Sequence, residues 1–265
     1  MSGIDRMPHN IESYYRQPEL WNMDRYEGSA DQRLRARMIA AMVPDDASSV
    51  LDVGCGNGFV TRRLCAPRVV GLDPSPEALE HFDGEKVCAS AEEIPFGDDS
   101  FDAVVCCEVL EHLPRLTLRR VVSEVERVAR RAIVIGVPFD QDLRREMVEC
   151  PECGERCHID LHQNRFPSPQ AVAELFTGWT IRTDVRLGSR ERVRSNVFRT
   201  LSYHLLGPQG RSDFARCPEC GSSRRKDFAA ARPFRSWLFK GLGWRMPKEQ
   251  LAHWMLLGLA RECGG

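Results

Sequence analysis

The stretch Val50-Leu51-Asp52-Val53-Gly54-Cys55-Gly56-Asn57-Gly58-Phe59 decides the reading of this chain. Its first four residues are apolar-rich and β-branched in character, as in a buried strand, and a helical pattern follows the glycines. Glycine at every second position lets a backbone rich in N–H groups approach a ligand closely, with no Cβ in the way. Asp73 closes the next apolar run, Val69-Val70-Gly71-Leu72. That is close to the ~20-residue spacing at which a carboxylate grips a ribose diol. The loop and the carboxylate together predict a nucleoside-containing cofactor.

Working outward, 265 residues suit one large α/β domain, or one domain with a small appendage. No apolar run nears the ~18–20 residues that span a bilayer, and Met1 to Glu12 holds no apolar signal core. A cytoplasmic protein is the expectation. The net charge of −1 hides a division: Arg186 to Gln250 holds 15 Lys and Arg against 5 Asp and Glu, the rest 22 against 33. A basic C-terminal third suits an acidic substrate, a nucleic acid or a lipid headgroup, or is an Arg-rich solvated surface. Of the 11 cysteines, Cys55, Cys65, Cys88, Cys106 and Cys107 fall in apolar elements, where free thiols are commonly buried. Four others form two copies of one pentapeptide, which argues for a reducing compartment and metal ligation.

Residues 9–26, rich in Tyr, Trp and Pro, read as a lid over a pocket. Leu34, Met38, Ala41 and Met42 recur with helical spacing, so 30–42 reads as an amphipathic helix ended by Pro44. Strands at 49–53, 69–72, 86–89, 101–107 and 132–137 then alternate with helices at 58–65, 75–82 and along the stripe Leu118 to Ala129. Repeated β-α units mean a parallel sheet. The rhythm breaks at Pro138. Ser168–Phe176 resumes as a helix with Ser168 as N-cap, and 179–187 alternates like a strand. His253 to Arg261 is helix or strand by periodicity alone.

The glycine spacing is G-x-G-x-G, not the G-x-G-x-x-G of a dinucleotide turn. Four blocks carry a likeness: residues 51–58, Gly71-Leu72-Asp73-Pro74-Ser75, Ala89-Ser90-Ala91-Glu92-Glu93-Ile94-Pro95-Phe96, and 100–113. In this order and spacing they resemble class I S-adenosylmethionine-dependent methyltransferases, particularly the small-molecule enzymes. The resemblance implies a Rossmann-like seven-stranded α/β sheet whose last strand, 253–261, runs antiparallel. It implies that Asp52, Gly54, Cys55, Gly56 and Gly58 cradle the methionine part of S-adenosylmethionine. Asp73, followed by Pro74, would take both ribose hydroxyls. Ser90 and Ala91 would meet the adenine, with Glu92 standing in for the Asp that relatives often carry at the position of Ser90. Cys107 would line the methionine end.

The implied chain runs as follows. A helical lid occupies 1–44 and a cofactor-binding core 45–138. A first Cys/His insert fills 139–167, a core helix and strand 168–188, a basic second Cys insert 189–250, and the last core strand 251–265.

Glu108-Val109-Leu110-Glu111-His112 is similar to the E-x-x-E-H that binds a divalent cation in ubiquinone-pathway and small-RNA O-methyltransferases. Two carboxylates and an imidazole chelate such an ion if the turn gathers them. Otherwise His112 acts as base or positions the acceptor, as do His158 and His162 from the insert. The knuckles Cys150-Pro151-Glu152-Cys153-Gly154 and Cys217-Pro218-Glu219-Cys220-Gly221 predict a shared four-thiolate structural zinc site of zinc-ribbon type. A local site of Cys150, Cys153 and Cys157 with His158 or His162 is the alternative.

Phe234 to Arg245 mixes basic and bulky apolar residues. It suits helix packing beside the sheet, or a membrane surface and a lipid-linked acceptor. No RNA-binding motif accompanies the local charge, which argues against nucleic acid. The expectation is methyl transfer to an O- or N-nucleophile of a small-molecule acceptor. The alternatives are an RNA methyltransferase gripping through the basic region and a non-catalytic S-adenosylmethionine-binding regulator. Oligomeric state is not legible.

Overall fold

Strands that are apolar on both faces need cover on both sides, and here helices supply it. The computed structural model describes residues 14, 15, 17–206, 216–223 and 233–262. Strands β1 (Ser49–Val53), β2 (Arg68–Asp73), β3 (Glu85–Cys88), β4 (Phe101–Cys107) and β5 (Ala129–Pro138) form a parallel set, with β1 between β2 and β4. Two later strands complete a seven-stranded sheet: β8 (Trp179–Leu187) at the edge, and β11 (Trp254–Arg261) between it and β5. The second of these runs antiparallel to both neighbours, so 254–261 is a strand, as the resemblance implied.

Alternate side chains of each strand enter different cores. Leu51, Val53, Val104 and Cys106 pack with Leu118, Val121, Val122 and Val125 of helix α4 (Arg115–Val128). Val50, Ala103 and Val105 face Ile39 and Val43 from the other side, together with Leu256. Three helices precede this one: α1 (Met23–Gly28), α2 (Ala30–Met42), which supplies Ile39, and α3 (Pro76–Leu79).

Several expectations change. The buried face of α2 is Arg35, Ala36 and Ile39, one residue on from the apolar stripe, and Leu34 is exposed. A buried arginine shifts the face, and a pattern that counts charge as solvent misses it. The helix expected at 58–65 is only a three-residue 3-10 turn, Thr61–Arg63. Pro67 disfavours helical geometry at Ala66, and too few residues remain to nucleate a longer helix. Cys65 and Cys88 are exposed rather than buried.

Past β5 the chain makes a hairpin, β6 (Met147–Glu149) with β7 (Arg156–His158), around the first cysteine knuckle. Ser168 caps α5 (Pro169–Ala173), its Oγ accepting from Ala171 N. A second antiparallel pair joins β9 (Arg190–Val193) to β10 (Lys248–Leu251). Helices α6 (Asn196–Leu206) and α7 (Pro233–Arg245) lie between them in sequence. The expectation that 234–245 packs beside the sheet fails: Phe234 is 71%, Trp237 71% and Trp244 78% exposed. Among the described residues no helix is long and apolar enough to cross a membrane.

Candidate active site

The turn after β1 is fixed before any ligand enters. Gly54, Gly56 and Gly58 take positive φ of 72°, 54° and 76°, and the N–H groups of Gly54 and Cys55 donate to Leu72 O at 2.7 and 3.0 Å. Asp73 Oδ2 accepts from Gly56 N at 2.9 Å and Oδ1 from Ser75 N at 2.9 Å. Burial raises the Asp73 carboxyl, with those two N–H groups pulling it back. The Trp21 ring lies over the loop, where a Cβ on Gly56 would meet it at 2.9 Å. Asn57 Nδ2 donates to Trp21 O at 3.0 Å, and Trp21 Nε1 to Tyr15 O at 2.8 Å.

These residues open onto a cavity of about 1490 Å³. Asp52, Gly54, Cys55, Gly56, Asp73, Pro74, Ser90, Ala91, Glu92 and Cys107 all line it. Gly58 is not in the wall; a Cβ there would strike the Phe82 ring at 2.2 Å, so its place in the motif answers to packing. Asp52 turns one oxygen to Thr61, whose Oγ1 donates at 2.6 Å. Burial pushes its carboxyl up to about 7 against that hydrogen bond.

At the opposite end the strand β4 hands over to Glu108, at φ 58°. Glu108 is committed elsewhere than to its expected metal partners: Arg35 Nη1 pairs with Oε1 at 3.1 Å and Trp254 Nε1 donates to Oε2 at 3.3 Å. Glu111 is fully buried, and neither of its carboxylate oxygens has a hydrogen-bond partner; His112 Nδ1 is likewise buried without one. Ligand atoms of Glu111, His112 and His162 lie within 4.8 Å of one another.

The insert brings His162 there by strapping the turn. Gln163 N and Asn164 N donate to Glu111 O at 2.6 and 3.0 Å. Asn164 Nδ2 donates to Leu110 O and Leu113 O at 2.8 and 2.7 Å. His162 Nδ1 bonds Gln141 Oε1 at 2.6 Å, which leaves Nε2 as the unprotonated nitrogen. Burial, then the Glu108 charge, raises the Glu111 carboxyl well above its ordinary range. Burial, then His158, lowers the His112 ring to about 4; burial also lowers His162. Both imidazoles are therefore neutral near pH 7.

His158 is corrected as a catalytic residue. It does not line the cavity; it stacks on His162 at 4.6 Å, and its Nδ1 accepts from the N–H of Asp160 and His162 at 3.1 and 3.4 Å. It braces His162.

The two knuckles have the same backbone. Cys150 N donates to Glu155 O and Gly154 N to Cys150 O, both at 2.9 Å. Cys217 N donates to Ser222 O and Gly221 N to Cys217 O, both at 2.8 Å. Gly154 and Gly221 close the turns at φ 78° and 72°. Sulphurs of Cys150 and Cys220, and of Cys153 and Cys217, are 3.5 Å apart. All four lie within 4.8 Å of one another, near the ~3.8 Å edge that Zn–S bonds of ~2.3 Å give a tetrahedron.

Residues 51–133 match the family described as "Methyltransferase domain". An uncharacterized methyltransferase of Mycobacterium tuberculosis is 35% identical over 186 residues, covering 58% of this chain and 74% of that protein. The chain belongs to the S-adenosylmethionine-dependent methyltransferases. A mitochondrial ubiquinone biosynthesis O-methyltransferase of Mus musculus is 36% identical over 90 residues, 28% of this methyltransferase and 24% of the mouse enzyme. A tRNA U34 carboxymethyltransferase of Shewanella halifaxensis is 36% identical over 89 residues, 29% of this chain and 27% of that protein. The chain thus spans about a quarter of the mouse and Shewanella proteins, and 44% of an uncharacterized Methanocaldococcus jannaschii protein that is 33% identical over 103 residues. The fold is similar to the N-methyltransferase NodS of Bradyrhizobium japonicum, solved in complex with S-adenosyl-L-homocysteine. That likeness has a TM-score of 0.54 at 16% identity over 94% of this chain and 98% of NodS.

Sequence reading missed four contributors to this methyltransferase's site: Arg35, Trp254, Gln141 and Arg192. Arg35 carried a signal, since it lies one and two helical turns from Ile39 and Met42 on a face that must be buried. Trp254, with Arg35 stacked 5.2 Å from its ring, opens a strand whose partners are far away in sequence. Nothing local marks Gln141 or Arg192, the second of which lines the cavity and pairs through Nη1 with Asp140 Oδ2 at 2.6 Å.

Proposed function

We propose that this methyltransferase moves the methyl group of S-adenosylmethionine to an oxygen or nitrogen nucleophile of a small-molecule acceptor held against Glu111, His112 and His162. The Gly54–Gly56 backbone takes the methionine part, and Asp73, already oriented by two N–H groups, accepts from both ribose hydroxyls. Ser90, Ala91 and Glu92 take the adenine. The C–S bond of the sulfonium breaks as the new bond to the acceptor forms in line, so the protein supplies alignment and exclusion of water.

One observation carries the acceptor end: a buried carboxylate with two unpartnered oxygens beside two neutral imidazoles. Buried polar atoms are nearly always partnered in a folded protein. Glu111, His112 and His162 would hold a first-row divalent cation, the class that mixed imidazole and carboxylate donors suit. Such an ion supplies positive charge beside an acceptor hydroxyl and lowers its pKa. Gln141 and His158 keep the His162 ring in place. By the same reading, Cys150, Cys153, Cys217 and Cys220 hold a structural zinc ion, their sulphur spacing being that of a tetrahedral site.

The test is turnover of labelled cofactor on host extract, with the labelled product identified. EDTA and Glu111→Gln are each expected to cut turnover by about 100-fold or more, with Mn²⁺ restoring the first and S-adenosylmethionine affinity kept in both. Activity indifferent to EDTA but abolished by His112→Ala would replace the cation with His112 as base. Cofactor binding without turnover on any extract would overturn the enzymatic reading itself.

A further inference from the structure

Apolar side chains exposed in quantity on a small protein mark a surface that meets something. Ten large hydrophobic side chains are exposed among the described residues, and eight belong to α6 and α7. Those two helices lie against each other. On α6, Val197, Leu201 and Leu205 are one turn apart and form a single exposed stripe. On α7 the residues whose side chains are described, Phe234, Trp237, Leu238, Gly241, Leu242, Trp244 and Arg245, are all exposed. Five of these seven are large and apolar.

We propose that Val197, Leu201, Phe234, Trp237, Leu242 and Trp244 form a docking face for an anionic phospholipid surface. A 13-residue helix cannot span a bilayer but lies well in its interface. Tryptophan is favoured at headgroup depth because its ring is apolar with one polar N–H. The same stretch of chain carries the basic excess: 15 Lys and Arg against 5 Asp and Glu from Arg186 to Gln250, with Arg235, Lys240 and Arg245 inside α7. Such basic clusters beside exposed aromatic side chains are drawn to anionic headgroups. The charge also decides against a second copy of this chain as occupant. A two-fold interface would bring two like-charged regions together. The face is tied to the cavity: Arg199 Nη1 pairs with Asp142 Oδ2 at 3.1 Å and Arg144 Nη1 donates to Thr200 Oγ1 at 2.7 Å. Asp142 lines the cavity, so docking would set its wall beside the bilayer.

Flotation of the full chain with vesicles tests this without reference to methyl transfer. Vesicles of phosphatidylcholine alone are compared with vesicles containing roughly a third phosphatidylglycerol, at low and physiological salt. The protein should float with the anionic vesicles at least tenfold better than with the neutral ones, and more weakly as salt rises. The exposed pair Trp237→Glu/Trp244→Glu should lose that binding tenfold or more and keep its affinity for S-adenosylmethionine. Brominated acyl chains should quench wild-type tryptophan fluorescence, and less so in Trp237→Phe/Trp244→Phe. No flotation on anionic vesicles, or flotation undiminished in the Glu pair, overturns the proposal. So does sedimentation equilibrium showing that the Glu pair breaks a dimer whose wild-type monomer does not float.

Discussion

Asp73 shows how much one carboxylate can settle. Its two oxygens fix the backbone of Gly56 on one side and of Ser75 on the other, and the residue lines the cavity. Asp73→Asn keeps the size but replaces one acceptor with an NH₂ group aimed at an N–H. A charge-assisted hydrogen bond is worth roughly 1.5–3 kcal/mol, so S-adenosylmethionine should bind about 10- to 100-fold more weakly by calorimetric titration. Unchanged affinity would place the ribose elsewhere. Residues of this kind were legible because turn, strand end and carboxylate follow one another in sequence. Arg35 and His162 were harder: one is a charge on a buried face, the other reaches the site only because Gln163 and Asn164 strap a turn some 50 residues earlier. His158 misled because two imidazoles four residues apart look alike in a sequence, although only one reaches the cavity.

At the scale of elements, the start of β4 is pinned to β1 by Asp102. Its Oδ2 accepts from Ser48 N and Oγ at 2.8 and 2.5 Å, and Arg130 Nη1 meets Oδ1 at 2.9 Å. The Ser48 hydroxyl and N–H, with Arg131 and Arg130, hold the carboxyl down at about 2. Since an unfolded aspartate titrates near ~3.9, this contribution is complete above that value and fades as pH falls toward 2. Asp102→Asn should therefore destabilise the protein by ~1–3 kcal/mol in urea melts at pH 7, and the gap should narrow as pH falls below about 4 and close near about 2. A gap that is constant with pH would mean the charge plays no part. β1 and β4 were read to the residue because burial on both faces leaves unbroken apolar runs, whereas β5 begins at Ala129, before the expected 132, and the short pairs β6–β7 and β9–β10 carry no such run. The helix at 58–65 was misread, because Pro67 just beyond it leaves too few residues for a helix to nucleate. The run at 253–261 needed its neighbours, β5 and β8, to become a strand.

For the molecule as a whole, the four-cysteine cluster gathers two stretches of chain that are far apart in sequence. Sixty-three residues separate Cys153 from Cys217, yet their sulphurs are 3.5 Å apart. The first knuckle sits on the hairpin whose second strand runs on into His158 and His162. The second lies between α6 and α7, upstream of β10 and its pairing with β9. The cofactor loop and Asp73 belong to β1 and β2, which pair with each other and precede both knuckles in the chain. Zinc bound to such a site supplies folding free energy directly, so its loss should act on one half of the molecule and not the other. In Cys217→Ser/Cys220→Ser, zinc per chain should fall from one to none, and a new low-temperature unfolding transition should precede that of the sheet. Proteolysis should then open residues 147–250 first. Affinity for S-adenosylmethionine should stay within about threefold of wild type while turnover falls at least tenfold, because His162 loses its support. A variant without zinc that keeps full turnover would show that the cysteines only decorate the insert, and one that loses cofactor binding as well would show that the two halves fold as one.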